Sequence, residues 1–114
     1  MIIVPKKWGK ELWIVNKEDY CGKILYFNKG FFCSFHYHLL KAESFYLRSG
    51  QILLKFSKED DITKAKELIL NPGDVFDVPR GLRHQMFALK DSELFEFSTH
   101  HENADSYRIK IDPS

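Results

Sequence analysis

Short runs rich in Val, Ile, Phe and Tyr recur along this chain, broken by turn residues at spacings of about 8–12 residues, and this rhythm constrains the fold more than any other feature. Candidate strands lie at Leu12–Val15, Cys21–Phe27, Phe31–His38, Glu43–Leu47, Gln51–Phe56, Glu67–Leu70, Asp74–Val78, Arg83–Leu89, Glu93–Ser98 and Tyr107–Ile111. One stretch, Lys58–Lys66, has helical composition, but it is charged almost all round and reads as a surface loop with at most one helical turn. Two turns are chemically explicit. In "NPGD", Pro72 pre-sets φ and Gly73 can take a positive φ, the type II pattern. In "VPRGLRH", Pro79 and Gly81 end one strand and start the next. The pattern predicts an all-β barrel or sandwich.

A chain of 114 residues is expected to form one domain over 1–114 and to bury a core without disulfide staples. Ten Phe and 44% apolar residues supply that core. The formal net charge is +1 with Lys and Arg scattered, which argues against nucleic acid or an anionic membrane as the main partner. The opening "MIIVPKKWGK" has its apolar residues before its lysines, the reverse of a signal peptide, and no uncharged run is long enough to cross a bilayer. Cys21 and Cys33 make no disulfide framework, so the expectation is two thiols in a reducing cytoplasm.

Within this apolar background "HYHLLKAES", residues 36–44, plants two histidines and a glutamate. On a strand, alternate side chains share a face, so His36 and His38 point the same way, about 6.6 Å apart at Cα, with Phe32 and Ser34. Imidazoles so placed can reach one metal. Cys33, Phe35 and Tyr37 would then face away, which argues against a Cys33/His36 zinc site. If Leu39–Ala42 turns the chain back, Glu43 opens the next strand beside the histidines, with Phe45 and Leu47 on its face. That loop has neither Gly nor Pro, so its turn is inferred from the pattern alone. His84, after the Pro79/Gly81 turn, offers a further ligand, with Met86 and Ala88 on its face. Alone, each of these residues reads as a satisfied core or surface group.

The spacing carries a resemblance. "GFFCSFHYHLLKAESFYLRSG" is similar to the first cupin motif, G-x5-H-x-H-x4-E-x6-G, at Gly30, His36, His38, Glu43 and Gly50. "GDVFDVPRGLRHQMFA" is similar to the second, G-x5-P-x-G-x2-H-x3-N, at Gly73, Pro79, Gly81 and His84, with Ala88 in place of Asn. The resemblance implies a double-stranded β-helix, or jelly-roll cupin barrel, holding one divalent metal (Zn, Mn, Fe or Ni) through His36, His38, Glu43 and His84. It also implies a homodimer, which would bury some of the surplus of aromatic residues. "WGKELWIVN" and "DSYRI" further resemble the flanks of the cupin domain in type II phosphomannose isomerases, through Trp8, Gly9, Asp105 and Arg108, with Lys7 in place of the usual Pro.

Several activities follow as expectations. The first is an isomerase-like enzyme acting on a sugar or sugar phosphate through a metal-stabilised enediolate, with Glu96 as general base and Arg108 on a phosphate or hydroxyl. Against these roles stand an outward carboxylate on an edge strand and a plain surface arginine. The others are an Fe(II)-dependent cupin dioxygenase, a non-catalytic barrel binding a small molecule, and a metal-free isomerase or epimerase of nucleotide-linked deoxysugars. His100 and His101 face opposite ways if extended, and read as a polar strand end, the alternative being that one of them lines the barrel mouth.

Overall fold

The computed structural model describes residues 1–110. Its strands are β1 (Ile2–Lys6), β2 (Gly9–Asn16), β3 (Cys21–Phe27), β4 (His36–Tyr37), β5 (Glu43–Ser49), β6 (Ile52–Ser57), β7 (Lys66–Leu70), β8 (Val75–Val78), β9 (Arg83–Ala88), β10 (Ser92–Ser98) and β11 (Tyr107–Arg108). They form two antiparallel sheets, ordered β1-β2-β3-β10-β5-β8 and β11-β4-β9-β6-β7. This is an all-β jelly roll. The late strand β10 lies between β3 and β5, so both of its edges are paired.

The inward faces explain how this sequence makes both a core and a site. On β3 the inward series is Cys21, Lys23, Leu25, Phe27; on β5 it is Glu43, Phe45, Leu47; on β10 it is Ser92, Leu94, Glu96; on β9 it includes His84, Met86 and Ala88. Registers pair Leu94 with Leu25 and with Leu47, and Leu54 with Met86, so the apolar residues meet at one level. The charged members of the same series, Lys23, Glu43, Glu96 and His84, gather at the other. Burial of Leu25, Phe27, Phe45, Leu47, Ile52, Leu54 and Leu94, all below 5% exposed, stabilises by about 1.5–3 kcal/mol each before entropy is counted. Trp8 closes this core by stacking on Phe27 at 4.1 Å between centroids. Gly50, in the turn from β5 to β6, has φ +92°, and a Cβ there would strike the backbone of Asp91 and Ser92.

Three stretches differ from the sequence reading. β1 was not anticipated; it occupies the sheet edge, where Pro5 is tolerated. The run Phe31–His38 is not one strand. It touches β9 at Phe32↔Phe87 and again at His36↔His84, so four steps on one side oppose three on the other. That extra residue makes a bulge, and face alternation slips by one. Cys33 therefore joins the core beside Met86, whose backbone N–H donates to its Sγ at 3.3 Å, while His36 also points inward. Phe32 is half exposed and stacks on Phe87. Finally, β11 stops at Arg108, and Ile111 of the expected strand lies outside the described residues. The charged stretch after β6 holds a single turn, Ile62–Lys64, in line with its reading as a loop with at most one helical turn, and Asp61 caps it.

Candidate metal centre

β4 pairs with β9 at His36↔His84, which sets two imidazoles side by side with centroids 4.3 Å apart. His38 follows β4, with its ring centroid 5.1 Å from that of His36 and 5.9 Å from that of His84. Each Nδ1 faces a backbone carbonyl: His36 on Ser34 at 2.7 Å, His38 on Asp105 at 2.9 Å, His84 on Leu82 at 3.0 Å. A carbonyl only accepts, so Nδ1 carries the hydrogen and Nε2 of each neutral ring keeps its lone pair. One ligand atom from each histidine lies within 4.8 Å of the others, close enough to hold one metal ion.

Glu43, the first residue of β5, completes the picture. Its Oε1 is 3.5 Å from His38 Nε2 and its Oε2 is 3.4 Å from His84 Nε2. Among the described residues, Glu43 Oε2 and His84 Nε2 are the buried side-chain atoms without a hydrogen-bond partner. Two facing acceptors, both out of water, are reconciled by a cation between them. The three histidines, with Glu43 facing two of them, offer a donor set whose chemistry fits a divalent metal. Cys33 stays outside it, a thiol pushed up to about 12 by burial.

A second cluster, scarcely visible in the sequence, adjoins this one. Lys41 is 2% exposed in its side chain and donates to Glu43 Oε1 at 2.7 Å and Glu96 Oε2 at 3.2 Å; its Nζ also lies 2.9 Å from His101 Nδ1. Burial works against the Lys41 charge, but Glu96 and Glu43 outweigh it and hold the ammonium above its ordinary range. Burial alone would also raise Glu43; the Lys41 ammonium at 2.7 Å holds it well below the usual carboxylate range. Glu96 goes the other way, raised by burial and by the Glu43 charge.

The loop that carries Lys41 is folded by a distant residue. The Asp105 carboxylate accepts the backbone N–H groups of Leu39, Leu40 and Lys41 at 2.9–3.1 Å, while its own carbonyl accepts from His38. This is how a loop without Gly or Pro turns. Glu96 is 4% exposed on a central strand, so the outward edge-strand alternative does not hold. Arg108 is exposed at the cavity mouth, in register with His36 on β4. Of the two adjacent histidines, His101 takes the barrel-mouth alternative and lines the cavity, while His100 bonds outward to the Lys17 carbonyl. The alternation of β3 could have flagged Lys23, which sits two residues from Leu25 in the inward phase. No local signal marks Lys41.

The imidazoles also set a pH dependence. Burial first, with neighbouring charges, pushes His36 down to about 3 and His101 to about 4, and burial lowers His38 as well. These rings are neutral in the fold where the unfolded chain, with imidazoles near 6.5, is protonated. The unfolded state then binds more protons, so stability falls as pH drops below about 6.5. Glu96 opposes this between its unfolded value and its raised folded value, one carboxyl against three imidazoles. Urea midpoints of metal-free protein should therefore fall between about pH 6.5 and pH 4.5; a flat or rising midpoint would contradict the assignment.

The cluster opens into a cavity of about 890 Å³ whose walls include Trp13, Lys23, His101 and Arg108. No helix among the described residues is long and apolar enough to cross a membrane. The family model described as Cupin matches residues 10–112. No curated protein matches the chain. Among solved structures, KdgF from Halomonas sp. is 19% identical with a TM-score of 0.72, over 83% of this chain and 81% of that one. The capsular polysaccharide assembling protein CapF from Staphylococcus aureus is 19% identical with a TM-score of 0.78, over 96% of this chain and 34% of that one. Oxalate decarboxylase from Bacillus subtilis is 18% identical with a TM-score of 0.80, over 95% and 30%. The chain thus spans about a third of the last two, and these likenesses establish the fold.

Proposed function

Since the chain belongs to the cupin family, we propose that it is a metal-dependent, isomerase-like enzyme acting on a sugar or sugar phosphate. His36, His38, Glu43 and His84 hold one divalent ion, Zn, Mn, Fe or Ni. The observation that carries this is the buried pair Glu43 Oε2 and His84 Nε2, facing each other at 3.4 Å with no other partner. A divalent ion bound there supplies a Lewis acid for a substrate carbonyl or hydroxyl oxygen.

The chain's own residues do the rest. Lys41 holds Oε1 of Glu43, leaving Oε2 as the free donor. Glu96, with its raised carboxyl, suits the proton transfer between adjacent carbons: it takes the proton from one C–H and returns it to the neighbouring carbon. Arg108 at the mouth meets a phosphate or hydroxyl. The cavity, about 890 Å³, falls in the usual range for a small-molecule site, and Trp13 in its wall offers an aromatic surface to a sugar ring. The CapF neighbour, a capsular polysaccharide assembling protein, is consistent with carbohydrate chemistry. A homodimer would cover the half-exposed Ile14, Tyr20 and Phe97 on the outer face of the larger sheet.

Elemental analysis of tag-free wild type beside His36→Ala/His84→Ala tests the centre. About one metal per chain is expected in the wild type and none in the variant; equal contents would sink the ligand assignment. Protein reconstituted with each metal is then screened for aldose–ketose interconversion by deuterium uptake from D₂O. Oxygen consumption with the iron form and no deuterium exchange would instead support a dioxygenase.

A further inference from the structure

The wall of the cavity on the larger sheet holds a second buried lysine that the proposed centre does not use. Lys23 on β3 is 3% exposed. Its Nζ lies 3.6 Å from Glu11 Oε1, beyond hydrogen-bond length, and 4.2 Å from the Trp13 ring centroid. No hydrogen bond reaches this ammonium among the described residues. Glu11 is already engaged, since its Oε1 accepts the Trp13 indole N–H at 2.8 Å. Lys41 differs sharply, because its three contacts match its three N–H donors. The Lys23 donors therefore face the cavity, where an anionic group on a ligand can take the place of water, and such a group would offset the burial that lowers this lysine's pKa.

The charge balance points the same way. The inner wall carries Lys23 and Lys41 against Glu11, Glu43 and Glu96, one negative charge in excess. A divalent ion beside Glu43 turns that into one positive charge in excess. The mouth adds Lys6, Lys7 and Arg108, with Lys6 only 3.9 Å from Glu11. The cavity with its ion is then net positive, and an anionic group on the ligand offsets part of that charge.

We propose that Lys23 anchors the anionic group, carboxylate or phosphate, of an acidic carbohydrate, beside the Trp13 ring. This rests on the metal-bound carbohydrate site proposed above and names its substrate class. The attraction is strong because the cavity screens it less than bulk water does.

Calorimetric titration of metal-loaded protein with glucose, glucuronate, glucose 6-phosphate and inorganic phosphate tests it. At least one of the two acidic sugars should bind about tenfold or more tighter than glucose, with a preference that shrinks in salt. Which of the two binds tighter separates carboxylate from phosphate. Lys23→Met should erase the preference while metal content stays at the wild-type level, and Lys23→Arg should retain it. Glucose binding as tightly as both acids, or no binding by any anion, overturns the proposal. So does a preference that survives in a folded Lys23→Met protein. If that variant does not fold, Lys23→Gln takes its place, with the same loss of preference expected. Absence of metal is read separately by elemental analysis and would sink the centre instead. Binding of inorganic phosphate without any sugar would keep the anion site and remove the carbohydrate.

Discussion

Lys41→Met is expected to destabilise the metal-free protein by about 3–5 kcal/mol, read as a fall in urea midpoint at neutral pH. The side chain is 2% exposed and is the cation that two buried carboxylates share, Glu43 at 2.7 Å and Glu96 at 3.2 Å. Methionine roughly keeps the volume but leaves both carboxylates without their counter-ion. Such a loss is a large part of the roughly 5–15 kcal/mol that holds a typical domain together. Adding Glu96→Gln to the variant should recover part of it, since one orphaned charge is then removed. A bound divalent ion should also reduce the cost, because it compensates Glu43 and leaves Glu96 alone exposed to the loss. A change below about 1 kcal/mol, the scale of a solvent-exposed ion pair, would show that water reaches this cluster.

Asp105→Ala should act at longer range, lowering both stability and metal affinity. Its carboxylate accepts three consecutive N–H groups, and the one on Lys41 is buried. Hydrogen bonds to a charged group contribute about 1.5–3 kcal/mol each, but Leu39 and Leu40 are 50% and 65% exposed and water can replace theirs. The expected loss is therefore about 2–4 kcal/mol. The same residue orients His38 through its backbone carbonyl, so a freed segment should weaken metal binding about 10–100-fold in chelator competition. Asp105→Asn keeps one acceptor oxygen and should fall between. Unchanged metal affinity in the alanine variant would separate this loop from the centre.

The two predictions concern residues that were unequally legible. Asp105 could be picked out only through the flanking resemblance, which assigned it no partner; its work as a cap depends on residues 64–66 positions away. Lys41 looked like any loop lysine between Leu40 and Ala42. His36, His38, Glu43 and His84 were legible because they stand at a spacing that a strand and a turn convert into convergence. Even there the local geometry was misread: the bulge between Phe32 and His36 admits Cys33 to the core and shortens the strand to His36–Tyr37. A bulge depends on the partner strand, and no run of aromatic residues announces one.

Glu96 and Lys23 show where the boundary lies. Their inward phase follows from a period of two along one strand, which backbone geometry imposes wherever the strand is. The sequence alone therefore determined the strands' alternation, the apolar level that fills the barrel and the set of side chains able to meet a metal. Which charges share the cavity was decided by β10 entering between β3 and β5, which sets Glu96 opposite Lys23 and opposite Phe45. Packing then removed water from Lys41, so that Glu43 and Glu96 compete for one ammonium. Alternation is a local property of the chain, but the pairing of buried charges is set by register between distant strands and by loss of solvent, and neither exists until the sheets have closed.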